Sequence, residues 1–270
     1  MPDPSVVSRP ITRVSDGALE RREDAVAVER ALEIRVDGRT VSVTLRTPGH
    51  DAELALGFLA GEGLIGSRAH VKEVVATAAA CDDQPDAVDL ALAPGVRMDW
   101  SRLERHFAAT AACGLCGRAH LESLRAGLTP IPVARRIEPR ALAALPARLR
   151  DAQLVFRETG GLHAAALCDA NLAPLVLRED VGRHNAVDKV AGWMLEAGRY
   201  PAEGDVLWVS GRAGAEIVLK AGRARIPVLA AVGAPSSLAI DLAAAAGMTL
   251  IGFLREGRMN VYSGVERVSP

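Results

Sequence analysis

From Val26 onward apolar and polar positions alternate. Leu32, Ile34 and Val36 form one run at every second residue, Val41, Val43 and Leu45 form another, and Asp37-Gly38 lies between them. A period of two predicts strands with one face turned inward, and an Asp-Gly pair between such runs predicts a tight hairpin. Pro48-Gly49-His50-Asp51 breaks the alternation. Asp51 is placed to cap a helix that turns Leu54, Leu56, Phe58 and Leu59 inward. Val71 to Ala76 and Val88 to Leu92 predict two more strands, so the first part of the chain reads as α+β.

Beyond about residue 150 the pattern changes to buried strands alternating with helices. Leu162 to Leu167, Pro174 to Leu177, Val206 to Val209, Val228 to Val232, Leu250 to Phe253 and Asn260 to Tyr262 are the expected strands. Arg183 to Ala197 is a helix by its recurring Val187, Val190, Ala191, Met194 and Leu195, and Gly198 ends it. Ala215 to Ala221 and Ser236 to Ala246 are two more, and Pro139 starts a helix over Arg140 to Arg150. Strands alternating with helices imply α/β architecture, a sheet covered on both faces. Thr129-Pro130-Ile131-Pro132 marks the boundary. The expected division is a mobile tail over residues 1–24, a smaller α+β domain over 25–135 and an α/β domain over 136–270. The tail is expected from its prolines, serines and charges.

Composition narrows the function classes. Apolar residues are 49% but aromatics only 3%, so the core is built from Ala, Val and Leu. Lys+Arg 32 against Asp+Glu 33 argues against a general nucleic-acid binder. The sequence offers no uninterrupted apolar run of about 18 residues and no basic start leading into an apolar h-region, so neither a membrane span nor a secretory signal is expected. Four cysteines in 270 residues are too sparse for a disulfide framework. A reducing cytoplasm is the expected location, and there a Cys-x-x-Cys is more often catalytic or metal-binding than a staple.

The chemistry centres on Cys113-Gly114-Leu115-Cys116-Gly117. Each thiol is followed by glycine, which leaves sulfur accessible, and a Cys-x-x-Cys loop can lower one thiol's pKa. Disulfide exchange, persulfide carriage and metal binding all fit that pair. Structural zinc needs about four ligands, and Cys81 and Cys168 stand apart with no paired histidine. A thioredoxin-like site needs a βαβ start that is missing here. Thr159-Gly160-Gly161-Leu162-His163 brings a histidine to open backbone, although in isolation a satisfied core histidine is the better explanation. Glu179-Asp180-Val181-Gly182-Arg183-His184-Asn185-Ala186-Val187-Asp188-Lys189 crowds polar groups around a strand-to-helix turn. A helix N-terminus there favours anions, with Arg183 and His184 adding to it, while a solvated helix start accounts for Asp188 and Lys189. Ser210-Gly211-Arg212 and Gly233-Ala234-Pro235-Ser236-Ser237 each follow a strand and open a helix, so they converge on one crevice.

Taken together and in order, these motifs, with the Phe253 to Tyr262 ending, resemble the formate dehydrogenase accessory sulfurtransferase (FdhD) family over roughly residues 30–265. The resemblance implies a cytidine-deaminase-like three-layer C-terminal domain and a homodimer. It implies a carrier that accepts sulfur from a cysteine desulfurase as a persulfide and supplies it to a molybdenum bis(molybdopterin guanine dinucleotide) cofactor destined for formate dehydrogenase. Cys113 is then the persulfide position and Cys116 its companion. Phe253, Leu254, Arg255, Glu256, Gly257 and Arg258 form the implied nucleotide stretch, joined by the glycine- and arginine-bearing turns with Gly211, Arg212, Arg183 and His184. GDP is the corresponding cofactor fragment. Two other readings remain: a chaperone that holds the cofactor without moving sulfur, and a zinc nucleoside deaminase. The deaminase needs a His/Cys-Ala-Glu segment and Pro-Cys-x-x-Cys. Here His163 is followed by Ala164-Ala165, and Ala112 precedes Cys113. No resident metal is expected.

Overall fold

The computed structural model describes residues 4–81, 84–100, 128–133 and 135–268. Strands β1 (Val6–Ser15) and β2 (Ala18–Ala27) pair antiparallel along their whole length. The expected mobile tail over residues 1–24 is therefore corrected: most of it is a hairpin. Its turn is Asp16-Gly17, with φ of 49° and 80°. That left-handed pair matches the right-handed twist of the strands on either side. The hairpin is largely exposed, so charges are tolerated on both strands. Its base meets the second lobe where Ala27 faces Gly161.

The first lobe is a four-stranded sheet in the order β4-β3-β6-β5. It comprises β3 (Arg30–Val36), β4 (Arg39–Arg46), β5 (Val71–Thr77) and β6 (Asp86–Leu92). The Asp37-Gly38 turn forms as expected, with both φ values positive. Leu32, Ile34, Val36, Val88 and Leu90 are fully buried beneath helix α1 (Asp51–Gly61). Val43 and Leu45 depart from the alternation and are exposed. The β3–β4 register shifts by one residue opposite Ile34 and Arg35, which turns Val41 inward and the later pair outward. Nor does Asp51 cap α1. The N-cap is His50 in the left-handed region, and the Asp51 carboxylate accepts from Arg46 Nε and Nη2 at 2.9 and 2.7 Å.

The second lobe is a six-stranded sheet in the order β12-β11-β10-β9-β7-β8. Its strands are β7 (His163–Cys168), β8 (Pro174–Asp180), β9 (Val206–Val209), β10 (Val228–Ala231), β11 (Thr249–Arg255) and β12 (Arg258–Ser263). Strands β9, β10 and β11 are parallel, while β7, β8 and β12 run antiparallel to their neighbours. Leu207, Val209 and Leu229 pack on one face against Val187, Val190, Ile217 and Leu242. On the other face Val206, Trp208 and Ala230 pack against Leu142, Leu145 and Leu149. The lobe therefore has three layers, because its strands are apolar on both faces.

Where one helix was expected over Arg140 to Arg150 there are two, α2 (Pro139–Ala143) and α3 (Leu145–Arg150). Pro146 lies in the first turn of the second, where its missing N–H costs nothing. Helix α4 (Leu154–Thr159) follows, then α5 (Arg183–Glu196), α6 (Ala215–Arg223) and α7 (Ser237–Ala245). The boundary expected at residues 135 and 136 falls too late. Ile131 is buried in the second lobe's core and its N–H donates to Ala246 O at 2.9 Å.

The lobes meet where α1 crosses α5. A Cβ on Gly57 would stand 1.7 Å from Asp188 O, and one on Gly192 1.8 Å from Glu53 O. Only glycine lets the two backbones touch at these points. Among the described residues no helix is long and apolar enough to cross a membrane.

Candidate functional site

The carboxyl ends of β9, β10 and β11 share one edge of the large sheet, and the antiparallel register brings the start of β7 and the end of β8 there too. At this edge main chain bonds to main chain in sequence. Val232 N–H donates to Val209 O at 3.0 Å, Gly233 N–H to Gly211 O at 2.8 Å and Phe253 N–H to Gly233 O at 3.1 Å. The result is a ledge of peptide groups running from the β9 turn to the β11 turn. A Cβ on Gly233 would stand 2.9 Å from Arg212 Cα and Gly211 O, so this position must be glycine for the turns to nest.

Three helices begin at this edge, and their ends differ. Ser236 caps α7 by accepting from Ala239 N–H at 3.2 Å. Helices α5 and α6 start at Gly182 and Gly214 with no side-chain cap. Their first-turn N–H groups and dipoles favour an anion. Arg183 is the first residue of α5 and Arg212 lies two residues before the Gly214 start of α6, and among the described residues neither guanidinium makes a hydrogen bond or ion pair. The expected Arg183, His184, Gly211 and Arg212 are thus brought together. His184 Nε2 lies 3.5 Å from Glu216 Oε2, and Gly211 lies against the His163 ring. Burial first, and the Arg183 guanidinium second, hold His163 below the usual imidazole range. Burial also lowers His184, against the pull of Glu216.

The 253–258 stretch divides. Phe253 sits at φ 51° with its side chain exposed, beside Gly233 on the ledge. Leu254 is fully buried in the lobe's second core, which leaves only its main chain for a ligand. Arg255 Nη1 donates to Val232 O at 2.7 Å, folding the guanidinium over the sheet edge. Glu256 and Gly257 are the turn between β11 and β12, and Arg258 pairs in register with Arg255. Cys113 and Cys116 lie outside the described residues. Of the other thiols, Cys81 is exposed and Cys168 is buried, its thiol pushed up to about 11 by burial. A group so rarely ionised is no nucleophile at neutral pH.

Most of the 179–189 motif holds the two lobes together. Glu179 caps α4 from outside, accepting from Val155 and Phe156 N–H at 3.0 and 2.8 Å. Asp180 accepts from Gly182 N–H, Asn185 Nδ2 and Thr47 N–H, and pairs with Lys189 Nζ at 2.7 Å. Lys189 also donates to Thr47 O. Asp188 and Lys189, expected at a solvated helix start, are buried. Asp188 takes both its bonds from Lys220 Nζ, at 2.7 and 2.9 Å, with Glu62 3.6 Å from the same nitrogen. Glu62, Lys220 and Glu179 were missed as structural partners. No local spacing signals them, because Asp188 and Lys220 lie on separate helices and Glu62 follows a third.

Among the described residues no group of three or more His, Cys, Asp or Glu side chains is placed to hold a metal ion. Residues 27–269 match the FdhD/NarQ family model. The chain is 49% identical to the sulfur carrier protein FdhD of Streptomyces avermitilis, over 97% of this chain and 95% of that one. It is 48% identical to the sulfur carrier protein FdhD of Mycolicibacterium paratuberculosis, over 96% and 97%. Its fold is shared with a solved chain from Desulfotalea psychrophila assigned as a formate dehydrogenase accessory protein, at a TM-score of 0.77 and 24% identity, covering 98% of this chain and 100% of that one. With relatives this similar along nearly their whole length, the chain belongs to the FdhD/NarQ family.

Proposed function

We propose that the protein is a cytoplasmic sulfurtransferase that carries sulfur from a cysteine desulfurase to a molybdenum bis(molybdopterin guanine dinucleotide) cofactor bound as its substrate, for use by formate dehydrogenase. The Cys113 thiolate attacks the donor persulfide, the donor's S–S bond breaks, and a persulfide forms on Cys113. Attack by Cys116 on the Cys113 sulfur then releases the terminal sulfur as hydrosulfide and leaves a disulfide. The observation that carries the reading is the sheet edge. Two helix starts without side-chain caps, Arg183 and Arg212 converge there beside the peptide ledge, and pyrophosphate is the chemistry those starts and arginines suit. A homodimer would present two such edges, one for each guanine dinucleotide.

The test is transfer of labelled sulfur from a desulfurase, read alongside GDP binding. Cys113→Ala should abolish transfer and keep GDP affinity. Transfer at the wild-type rate would leave a cofactor-holding chaperone or move the chemistry to Cys116. Replacing Arg183 and Arg212 together by alanine should weaken GDP binding at least tenfold, by about 1.5 kcal/mol for each charge-assisted bond lost. Equal affinity would remove the edge from the site.

A further inference from the structure

The layer formed by α2, α3 and α4 has an arginine-rich outer face. Residues 135–158 hold six arginines, Arg135, Arg136, Arg140, Arg148, Arg150 and Arg157, against three carboxylates, in a chain whose formal net charge is -1. All six are exposed, and among the described residues none takes part in an ion pair. Elsewhere arginines find carboxylates, as Arg68 does with Glu196 at 2.9 Å and Arg199 with Asp205 at 3.2 Å. Two acids close to the face are spent on main chain instead. Glu138 accepts from Arg140 and Ala141 N–H at 2.9 and 2.8 Å, and Asp169 from Asn171 and Ala173 N–H at 2.8 and 2.9 Å. A concentration of positive charge left uncompensated in this way attracts an acidic surface.

The arginines are held in order. Ala144 N–H donates to Arg140 O and Arg148 N–H to Ala144 O, at 3.1 and 3.3 Å, so the helical path runs on from α2 into α3. Arg140 and Arg148 therefore stand on one line about 12 Å apart, two steps of i and i+4. Leu142, Leu145 and Leu149 are buried against the sheet. The face also has a definite place on the lobe. Arg135 Nη2 donates to Asn171 Oδ1 at 3.4 Å, in the turn between β7 and β8. Cys168, the last residue of β7, is raised by burial first, and the Arg148 guanidinium pulls its thiol back down. This is the end of β7 away from His163, roughly 17 Å from the ledge by strand rise. Ala144 and Ala147, exposed among the arginines, are too short to enter a lipid surface or stack on bases. Long arginines over small apolar side chains suit the surface of another folded protein.

We propose that this arginine face docks the protein that donates sulfur, through an acidic patch on the donor's surface. The assignment rests on the function proposed above. In that function the enzyme that receives the cofactor must approach the ledge, where the phosphates lie. A donor docked at the ledge would exclude the cofactor, whereas one docked at the far end of the sheet leaves the ledge free.

The experiment is the rate of sulfur transfer to the full chain from a persulfide-loaded cysteine desulfurase, at low and at high salt. Arg140→Glu together with Arg148→Glu should slow transfer about tenfold at low salt, with the gap closing as salt rises. Transfer from glutathione persulfide, a donor too small to need a docking surface, should keep its wild-type rate, and GDP affinity should be unchanged. Arg13→Glu with Arg21→Glu, on the exposed hairpin, makes the same change of charge and should affect neither donor. Wild-type transfer from the desulfurase in the variant of Arg140 and Arg148 would overturn the docking face. So would an equal loss in the hairpin variant, or an equal loss toward glutathione persulfide. Anionic vesicles or duplex DNA that bind the wild type but not the variant of Arg140 and Arg148, with desulfurase transfer intact, would assign the face to another polyanion. Wild-type protein that takes sulfur from neither donor would overturn the proposed function, and the docking face with it.

Discussion

Single residues decide how the lobes meet. Gly192 lies where a methyl group would overlap the Glu53 carbonyl, and backbone cannot swing aside as a side chain can. Gly192→Ala should therefore cost about 3 kcal/mol in urea unfolding. Gly66→Ala, with open space at its Cβ, should stay within about 0.5 kcal/mol. Below this crossing, Lys220 serves two carboxylates, Asp188 and Glu62. Burial pushes Asp188 up to about 6 despite the ammonium, with Glu62 and Glu216 adding repulsion. An acid whose folded pKa is raised takes up a proton on folding, so its contribution is full below about pH 4 and is lost as pH rises through 6. Asp188→Asn lacks that loss. Its stability relative to wild type should climb between pH 4 and 6 and level off above. Thermal unfolding across that range measures it, and parallel profiles would contradict the assignment.

At the scale of elements, the turn between β8 and α5 is a clasp. Removing the Asp180 carboxylate strands Lys189, which is 1% exposed, with only carbonyls for company. Asp180→Ala should cost about 3 kcal/mol or more. A urea midpoint near wild type would show the pair to be dispensable. The elements themselves were largely legible. β9 runs over Val206–Val209 as expected because four apolar residues stand between a charged turn and Ser210-Gly211. The β1–β2 hairpin was not, although Asp16-Gly17 carries the same signal as Asp37-Gly38. Its strands bury little, and an alternation without an apolar face looks like an unstructured polar segment. Candidate residues in turns, such as Gly211 and Arg212, could be assigned to strand-end turns from local sequence. The partners of Asp188 and Lys189 could not, because Lys220, Glu62 and Thr47 reach them only through the packing of separate elements.

For the whole molecule, the consequence is cooperativity. The glycine crossing, the Asp188–Lys220–Glu62 group and the bidentate Glu53–Arg178 pair all span the two lobes. Neither lobe can open alone without exposing half of a buried ionic group. Trp100 packs against the first lobe's core and Trp208 is buried in the second. Variants retaining one or the other as sole tryptophan should show coincident fluorescence transitions in urea. Separated midpoints would mean that the lobes unfold independently.

The row of amides joining Gly211, Gly233 and Phe253 carries a different lesson. Its shape belongs to the polypeptide itself, so side-chain substitution reaches it only where a new Cβ collides, as at Gly233. Replacing individual amides by esters, or adding one residue to a connecting turn, would change it. Away from Gly233, a rim of this kind can change its side chains and keep its shape.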